Sequence, residues 1–154
     1  MNLSFSTRGW NHLTWENWLE LAIDMRFAGI EVYNLHLGDD LLERGAPFHK
    51  ASIAATARKL HELDLRIPCF DTSCDLSSTD PEHREHLLQL MEIAQQLRVP
   101  AVVAVALSDN EDQVMASLKA LLPVAREKNV KLMLKTSGMF ADTARLRDVL
   151  NYFA

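Results

Sequence analysis

Glu31, Asp71 and Lys135 are the residues of this sequence best placed to do chemistry, because each stands at or near the end of a strand-like segment. A carboxylate next to a carbonyl substrate can take a proton from the adjacent carbon, which makes Glu31 a candidate general base. Lys135 can form a Schiff base with a carbonyl compound if a dry site strips its proton. Asp71 can accept a hydrogen bond from a substrate hydroxyl, or shape a turn at Asp71-Thr72-Ser73. Each also has a plainer reading. Buried charges are paired, so Lys135 can simply neutralise Glu31 or Asp71.

Further candidates lie in the loops. His36 follows the second strand, where it can act as an acid–base group or stand as a solvated histidine. Arg8 beside Gly9 offers a phosphate contact. Trp10 and Trp15 can stack on a sugar or anchor the loop that carries them. His12 and His49 carry less signal, and His83 and His86 fall on the polar face of a helix, where exposure is expected. Cys69 and Cys74 are spaced C-x4-C with no second pair, a poor zinc pattern. Both read as free thiols, with Cys69 in the core.

The elements that position these residues alternate between strand and helix. Strands are expected over residues 2–6, 30–34, 65–71, 101–107 and 131–135. Thr14 reads as a helix cap, followed by an apolar face of Trp18, Leu21, Ala22, Met25 and Ala28, with Gly29 as the stop. The second helix covers about 52–64 with Ile53, Ala57, Leu60 and Leu63 inward. Asp80-Pro81 opens the third, with Leu87, Leu88, Met91, Ala94 and Leu97 inward. Asp109 or Asn110 caps the fourth, which buries Val114, Leu118, Leu121, Leu122 and Ala125, and Pro123 predicts a kink or break in it. Gly138 marks a loop, Asp142 caps the last helix, and Leu146, Val149, Leu150 and Phe153 line its buried face.

Five strand-then-helix units at this spacing imply right-handed crossovers and a parallel sheet, in one domain spanning residues 1–154. Two architectures fit: part of a (β/α)8 barrel, or a complete flavodoxin-like five-stranded sheet. The strand faces favour the barrel. Leu3 and Phe5 oppose Ser4 and Ser6, Ile30 and Val32 oppose Glu31 and Tyr33, and Leu132 and Leu134 oppose Lys131, Met133 and Lys135. A doubly wound sheet wants both faces apolar, whereas a barrel turns polar near the C-terminal ends of its strands, where active sites lie. The expected arrangement is strand order 1-2-3-4-5 with helices on the convex side.

Ser6-Thr7-Arg8-Gly9-Trp10, Phe27-Ala28-Gly29-Ile30-Glu31-Val32-Tyr33-Asn34, Ile67-Pro68-Cys69-Phe70-Asp71-Thr72-Ser73-Cys74, and Thr136-Ser137-Gly138 with Ala141-Asp142-Thr143 resemble the xylose isomerase-like TIM-barrel superfamily. That superfamily includes sugar phosphate isomerases and epimerases and family 2 AP endonucleases. The resemblance covers its first five units. It implies a sugar or sugar-phosphate isomerase- or epimerase-type protein. It also implies, for relatives with a complete barrel, a divalent metal (manganese, magnesium or zinc) whose usual first ligand is a glutamate ending the fifth strand. Here Lys135 holds that position, and an ammonium cannot ligate a cation and repels it. Lys135 can instead replace the metal's charge. No cofactor is expected in this chain, and the isolated chain is expected to be inactive.

Composition narrows the rest. Apolar residues make up 48% and charged residues 24%, enough for a core, and a net charge of -5 gives no electrostatic footprint for nucleic acid. The longest apolar run, residues 99–107, is far short of the ~20 needed to span a bilayer. The start lacks a signal-peptide pattern, so a cytoplasmic place is expected. The expected partners are a small carbohydrate and a second copy of the chain, because a partial barrel leaves open strand edges. A lysine-dependent aldolase-type barrel and a non-catalytic partner-binding domain remain the alternatives.

Overall fold

Side-chain caps decide where the helices begin. In the computed structural model, which describes residues 3–36 and 38–154, Thr14 and Asn17 form a reciprocal capping box at the start of α1 (Trp15–Asp24). Asp80 accepts from the amide of Glu82 at α3 (Pro81–Leu97). Asn110, not Asp109, caps α4 (Glu111–Glu127), and Asp142 caps α5 (Thr143–Phe153). Each cap satisfies an otherwise orphaned amide and stabilises its helix by about 1 kcal/mol. The second helix, α2 (Ile53–Glu62), begins after Ser52 without such a bond.

The strands are β1 (Ser4–Ser6), β2 (Gly29–Glu31), β3 (Phe70–Asp75), β4 (Ala101–Val105) and β5 (Lys131–Leu134). Residue 2, where the first strand was expected to begin, lies outside the described residues. All ladders are parallel: β1 with β2, and β3 with β4 with β5. Between β2 and β3 the ladder thins to two isolated bridges, Gly29 to Arg66 and Val32 to Phe70. The order along the arc is therefore 1-2-3-4-5, as in a (β/α)8 barrel, and the flavodoxin-like order is not adopted. Phe70, Thr72, Val102 and Ala104 are fully buried on the helix side. Successive helices α2, α3 and α4 pack side by side over that face. The chain is an α/β partial barrel with five principal helices.

Several expectations are corrected. Gly29 does not stop α1. Arg26, at φ 56°, makes the left-handed turn, and Gly29 enters β2. Asp64, Arg98 and Asn129 make equivalent turns after α2, α3 and α4, so non-glycine residues accept this conformation at every such exit. The third strand does not end at Asp71. It starts at Phe70 and runs through Thr72, Ser73 and Cys74 to Asp75, because neighbouring β4 supplies partners that outweigh the turn preference of Ser, Thr and Asp. No turn forms at Asp71. Helix α4 continues unbroken through Pro123, held by buried Leu118, Leu121 and Ala125 around it. The α1 face is Trp15, Trp18, Leu19 and Ala22, while Met25, and Leu150 of α5, are exposed. Trp15, Phe48 and Phe70 form an edge-to-face chain at 5.3 and 5.2 Å, so Trp15 is core and has no face left for a sugar.

Gly29 sits where β1, β2 and the segment before β3 converge. A Cβ there would lie 2.7 Å from both the Arg66 carbonyl oxygen and the Ser4 hydroxyl. Gly29→Ala is expected to lower stability by about 1–3 kcal/mol, the usual cost of overpacking. It should lower the urea midpoint with an unchanged slope. A wild-type midpoint would refute the close approach.

Candidate functional site

Strand parity brings the polar residues together. Ser6 pairs in register with Glu31, and the Ser6 hydroxyl donates to Glu31 Oε1 at 3.0 Å. Asp71 pairs with Val103, which pairs with Met133, so all three share the concave face. Lys135 follows Met133 by two residues and continues that face just beyond β5. Its Nζ donates to Asp71 Oδ1 at 2.7 Å. It also lies 5.1 Å from the centre of the Tyr33 ring, while Arg8 Cζ lies 5.3 Å from the same centre.

The Cys69 thiol is pushed up to about 11, first by burial and then by the negative charges of Glu31 and Asp71. Cys69 lies two residues before Asp71, on the same parity. At neutral pH it is a thiol, not a nucleophilic thiolate. Cys74, on the opposite face, is also raised by burial. Both cysteines are free.

Asp71 and Lys135 are in contact, Glu31 shares their face by strand parity, and the Tyr33 ring stands between Lys135 and Arg8 as a shared contact. Lys135 is paired with Asp71, while Glu31 takes the Ser6 hydroxyl. Trp10 and His36 share none of these contacts. Trp10 is 42% exposed, and its carbonyl accepts from Trp18 Nε1. His36 Nδ1 lies 3.3 Å from Asp39 Oδ2, in the wall of a separate cleft of about 190 Å³ shared with Ser73, His83 and His86. His86 is buried, not exposed as expected. Its Nε2 lies 3.3 Å from the Leu35 carbonyl, and burial lowers its basicity. His83 Nδ1 accepts from the amide of Asp75.

Sequence reading overlooked Ser6, Tyr33 and Asp75 as positioning residues. The Tyr33 amide donates to Thr7 Oγ1 at 2.9 Å, tying the ends of β1 and β2 together. Asp75 accepts from Ser77 and from the Leu107 amide, tying β3 to the loop after β4. The parity of Ser6 and Tyr33 with Glu31 was visible; the contact between Asp75 and Leu107 spans thirty-two residues and was not.

The residues present do not suit a divalent cation. Among the described residues no three His, Cys, Asp or Glu side chains converge as ligands, and the Lys135 ammonium occupies the Asp71 carboxylate. Among those residues no helix is long and apolar enough to cross a membrane.

A family model described as xylose isomerase-like TIM barrel matches residues 19–152. No curated protein matches the chain. Solved structures share the fold. The probable 3-DHS dehydratase AsbF of Bacillus anthracis superposes with a TM-score of 0.76 at 14% identity, covering 98% of this chain and 58% of that one. D-psicose 3-epimerase, solved in the presence of D-fructose, gives 0.71 at 12% identity, covering 97% and 60%. The IolI protein with a bound zinc atom gives 0.69 at 20% identity, covering 87% and 51%. The chain spans about three fifths or less of the length of these proteins.

Removing the Lys135 ammonium strands Asp71, which is 7% exposed. Because Lys135 keeps partial solvent access, Lys135→Met is expected to cost about 1–3 kcal/mol, below the range for fully buried pairs. Asp71→Leu in that background should recover part of the loss. Additive single-variant costs in urea melts would show that the pair is not coupled.

Proposed function

Because this chain belongs to the xylose isomerase-like TIM-barrel family, we propose that its concave face is part of a carbohydrate site of isomerase or epimerase type. The observation that carries this is the polar concave face itself: Glu31 ends β2 and accepts from Ser6, and Lys135, just beyond β5, donates to Asp71 near the start of β3; barrels place their chemistry towards the C-terminal ends of their strands, where Glu31 and Lys135 lie. Support also comes from the epimerase among the fold neighbours.

The residues suit a proton shift next to a carbonyl. Glu31, with one oxygen held by Ser6, takes a proton from the carbon beside the substrate carbonyl. The electron pair moves to the carbonyl oxygen, and the resulting oxyanion lies against the Lys135 ammonium, a charge already in place before reaction. Passage of the adjacent hydroxyl's proton to that oxyanion, with return of the carbon proton to the former carbonyl carbon, isomerises the sugar, and return to the opposite face of the original carbon epimerises it. Asp71 holds Lys135 through the 2.7 Å contact. That engagement weighs against an aldolase-type Schiff base, whose amine must be free to attack a carbonyl.

D-Fructose titrated into the isotope-labelled chain is expected to shift backbone signals of Glu31, Tyr33 and Thr136 at millimolar sugar, without manganese-dependent turnover. Tight stoichiometric manganese binding, or shifts confined to the helix side, would overturn this reading.

The site also needs an opposite wall. Among the described residues, the outer edges of β1 and β5 pair with no further strand. Leu3 and Met133 are 52% and 49% exposed. Open edges recruit partners, and each copy carries both edges that another copy needs. The purified chain is therefore expected to self-associate, and a clean monomer by light scattering at micromolar concentration defeats this.

A further inference from the structure

We propose that His86 is a pH-sensitive latch. As a neutral ring it pins the Leu35 backbone, after β2, against α3, and on protonation it swings into the adjoining cleft and frees that segment. The latch does not depend on what the concave face binds.

One backbone unit is held on two sides. The Leu35 side chain is fully buried. Its amide donates to the Asp71 carbonyl at 2.9 Å, and its carbonyl lies 3.3 Å from His86 Nε2. A carbonyl can only accept, so Nε2 carries the ring hydrogen, and Nδ1 of the neutral ring is a bare lone pair. His86 is 3% exposed. Among the described residues its Nδ1 is sealed from water and has no hydrogen-bond partner. A neutral ring tolerates that position. A protonated ring does not, because it adds an N–H with nothing to accept it and a charge with no water around it.

The surrounding groups do not remove this cost. Burial is the main influence on the imidazole and holds it below its ordinary basicity; the Leu35 carbonyl acts the other way, the neighbouring His36 adds to the lowering, and Asp39 and Gln89 oppose it. Asp39 is already engaged, with Oδ2 at 3.3 Å from His36 Nδ1 and Oδ1 accepting from the Leu41 amide. On α3, His83 Nδ1 is taken by the Asp75 amide. From β3, Cys74 brings a thiol that burial keeps neutral.

The cleft supplies the exit. His86 shares its wall with Ser73, Asp80 and Glu82, and both acidic residues are exposed. A charged ring that leaves Leu35 for this cleft gains water and two carboxylates, so protonation favours the open arrangement.

A histidine whose basicity is lowered in the closed state stabilises that state above its ordinary value of about 6.5, and the contribution is lost as pH falls below it. The closed population is therefore complete above neutrality and weakens downward from about pH 6.5, by at most about tenfold per pH unit. Because the Leu35 amide is bonded to the Asp71 carbonyl, release reaches the backbone of the residue that holds Lys135.

The test is an NMR titration of the isotope-labelled full chain from about pH 8 to about pH 5, the range in which histidines change charge. The His86 ring and the Leu35 and Asp71 amides are expected to share one midpoint below about 6.5. His86→Gln keeps a donor for the Leu35 carbonyl but cannot titrate, and it should abolish the shared transition at Leu35 and Asp71. His36→Asn should leave that transition in place, which separates His86 from its titrating neighbour. A His86 midpoint at or above about 6.5, Leu35 and Asp71 signals that do not follow it, or a transition that survives His86→Gln overturns the latch. Loss of the transition in His36→Asn overturns it as well. If His86→Gln does not fold, the wild-type midpoints and His36→Asn decide by the same criteria.

Discussion

The missing side chain at Gly29 is the constraint on which the site depends. With no Cβ to hold them apart, β1, β2 and the segment before β3 close to backbone contact. The Arg66 amide reaches the Ala28 carbonyl at 3.0 Å, and the Ile30 amide reaches the Arg66 carbonyl at 2.9 Å. The ladder between β2 and β3 is otherwise thin. This junction is what keeps Glu31 beside Ser6 and brings the end of β2 against β3. The register it sets runs outward from there. Glu31 and Tyr33 fall on the concave side, Ile30 and Val32 on the helix side, and a slip of one residue would exchange the two sets.

The helix side supplies the energy and the concave side spends some of it. Phe70, Ile30, Leu90 and Leu121 are fully buried under the helices, each contributing on the order of 1.5–3 kcal/mol. Opposite them, Asp71 is held nearly dry, a state tolerated because Lys135 reaches it from a strand sixty-four residues away. The pair bridges β3 near its start to the residue just beyond β5, across β4. It also places a positive charge just beyond β5, on the face that carries Asp71. Such a charge cannot dissociate, and its position is set by packing.

Hydroxyls do the fine positioning. Ser6 serves Glu31 and Arg8 at once, Thr7 holds the Tyr33 backbone, and Thr72 donates to the Val103 carbonyl at 2.8 Å. None of these residues carries a charge, and none has a strong signature in a sequence. They convert a polar strand face into a defined arrangement, because a short hydroxyl can bridge only what lies within one bond of the backbone.

Alternation, caps and face polarity were legible in the sequence alone. Thr14, Asp80 and Asp142 cap helices because their oxygens act on amides two or three residues away, an interaction wholly local to the chain. Glu31, Asp71 and Lys135 shared a face by strand parity, which is equally local, and the resemblance to barrel proteins followed from short segments around them. Tertiary structure decided the rest. The Thr-Ser-Cys-Asp run became strand because β4 was beside it. His86 went under the Leu35 carbonyl because α3 packs its N-terminal half against the loop after β2. Lys135 pairs with Asp71 and not with Glu31, which accepts from Ser6 instead. Pairing between residues far apart in sequence depends on which neighbours the fold delivers, and no local pattern contains that information.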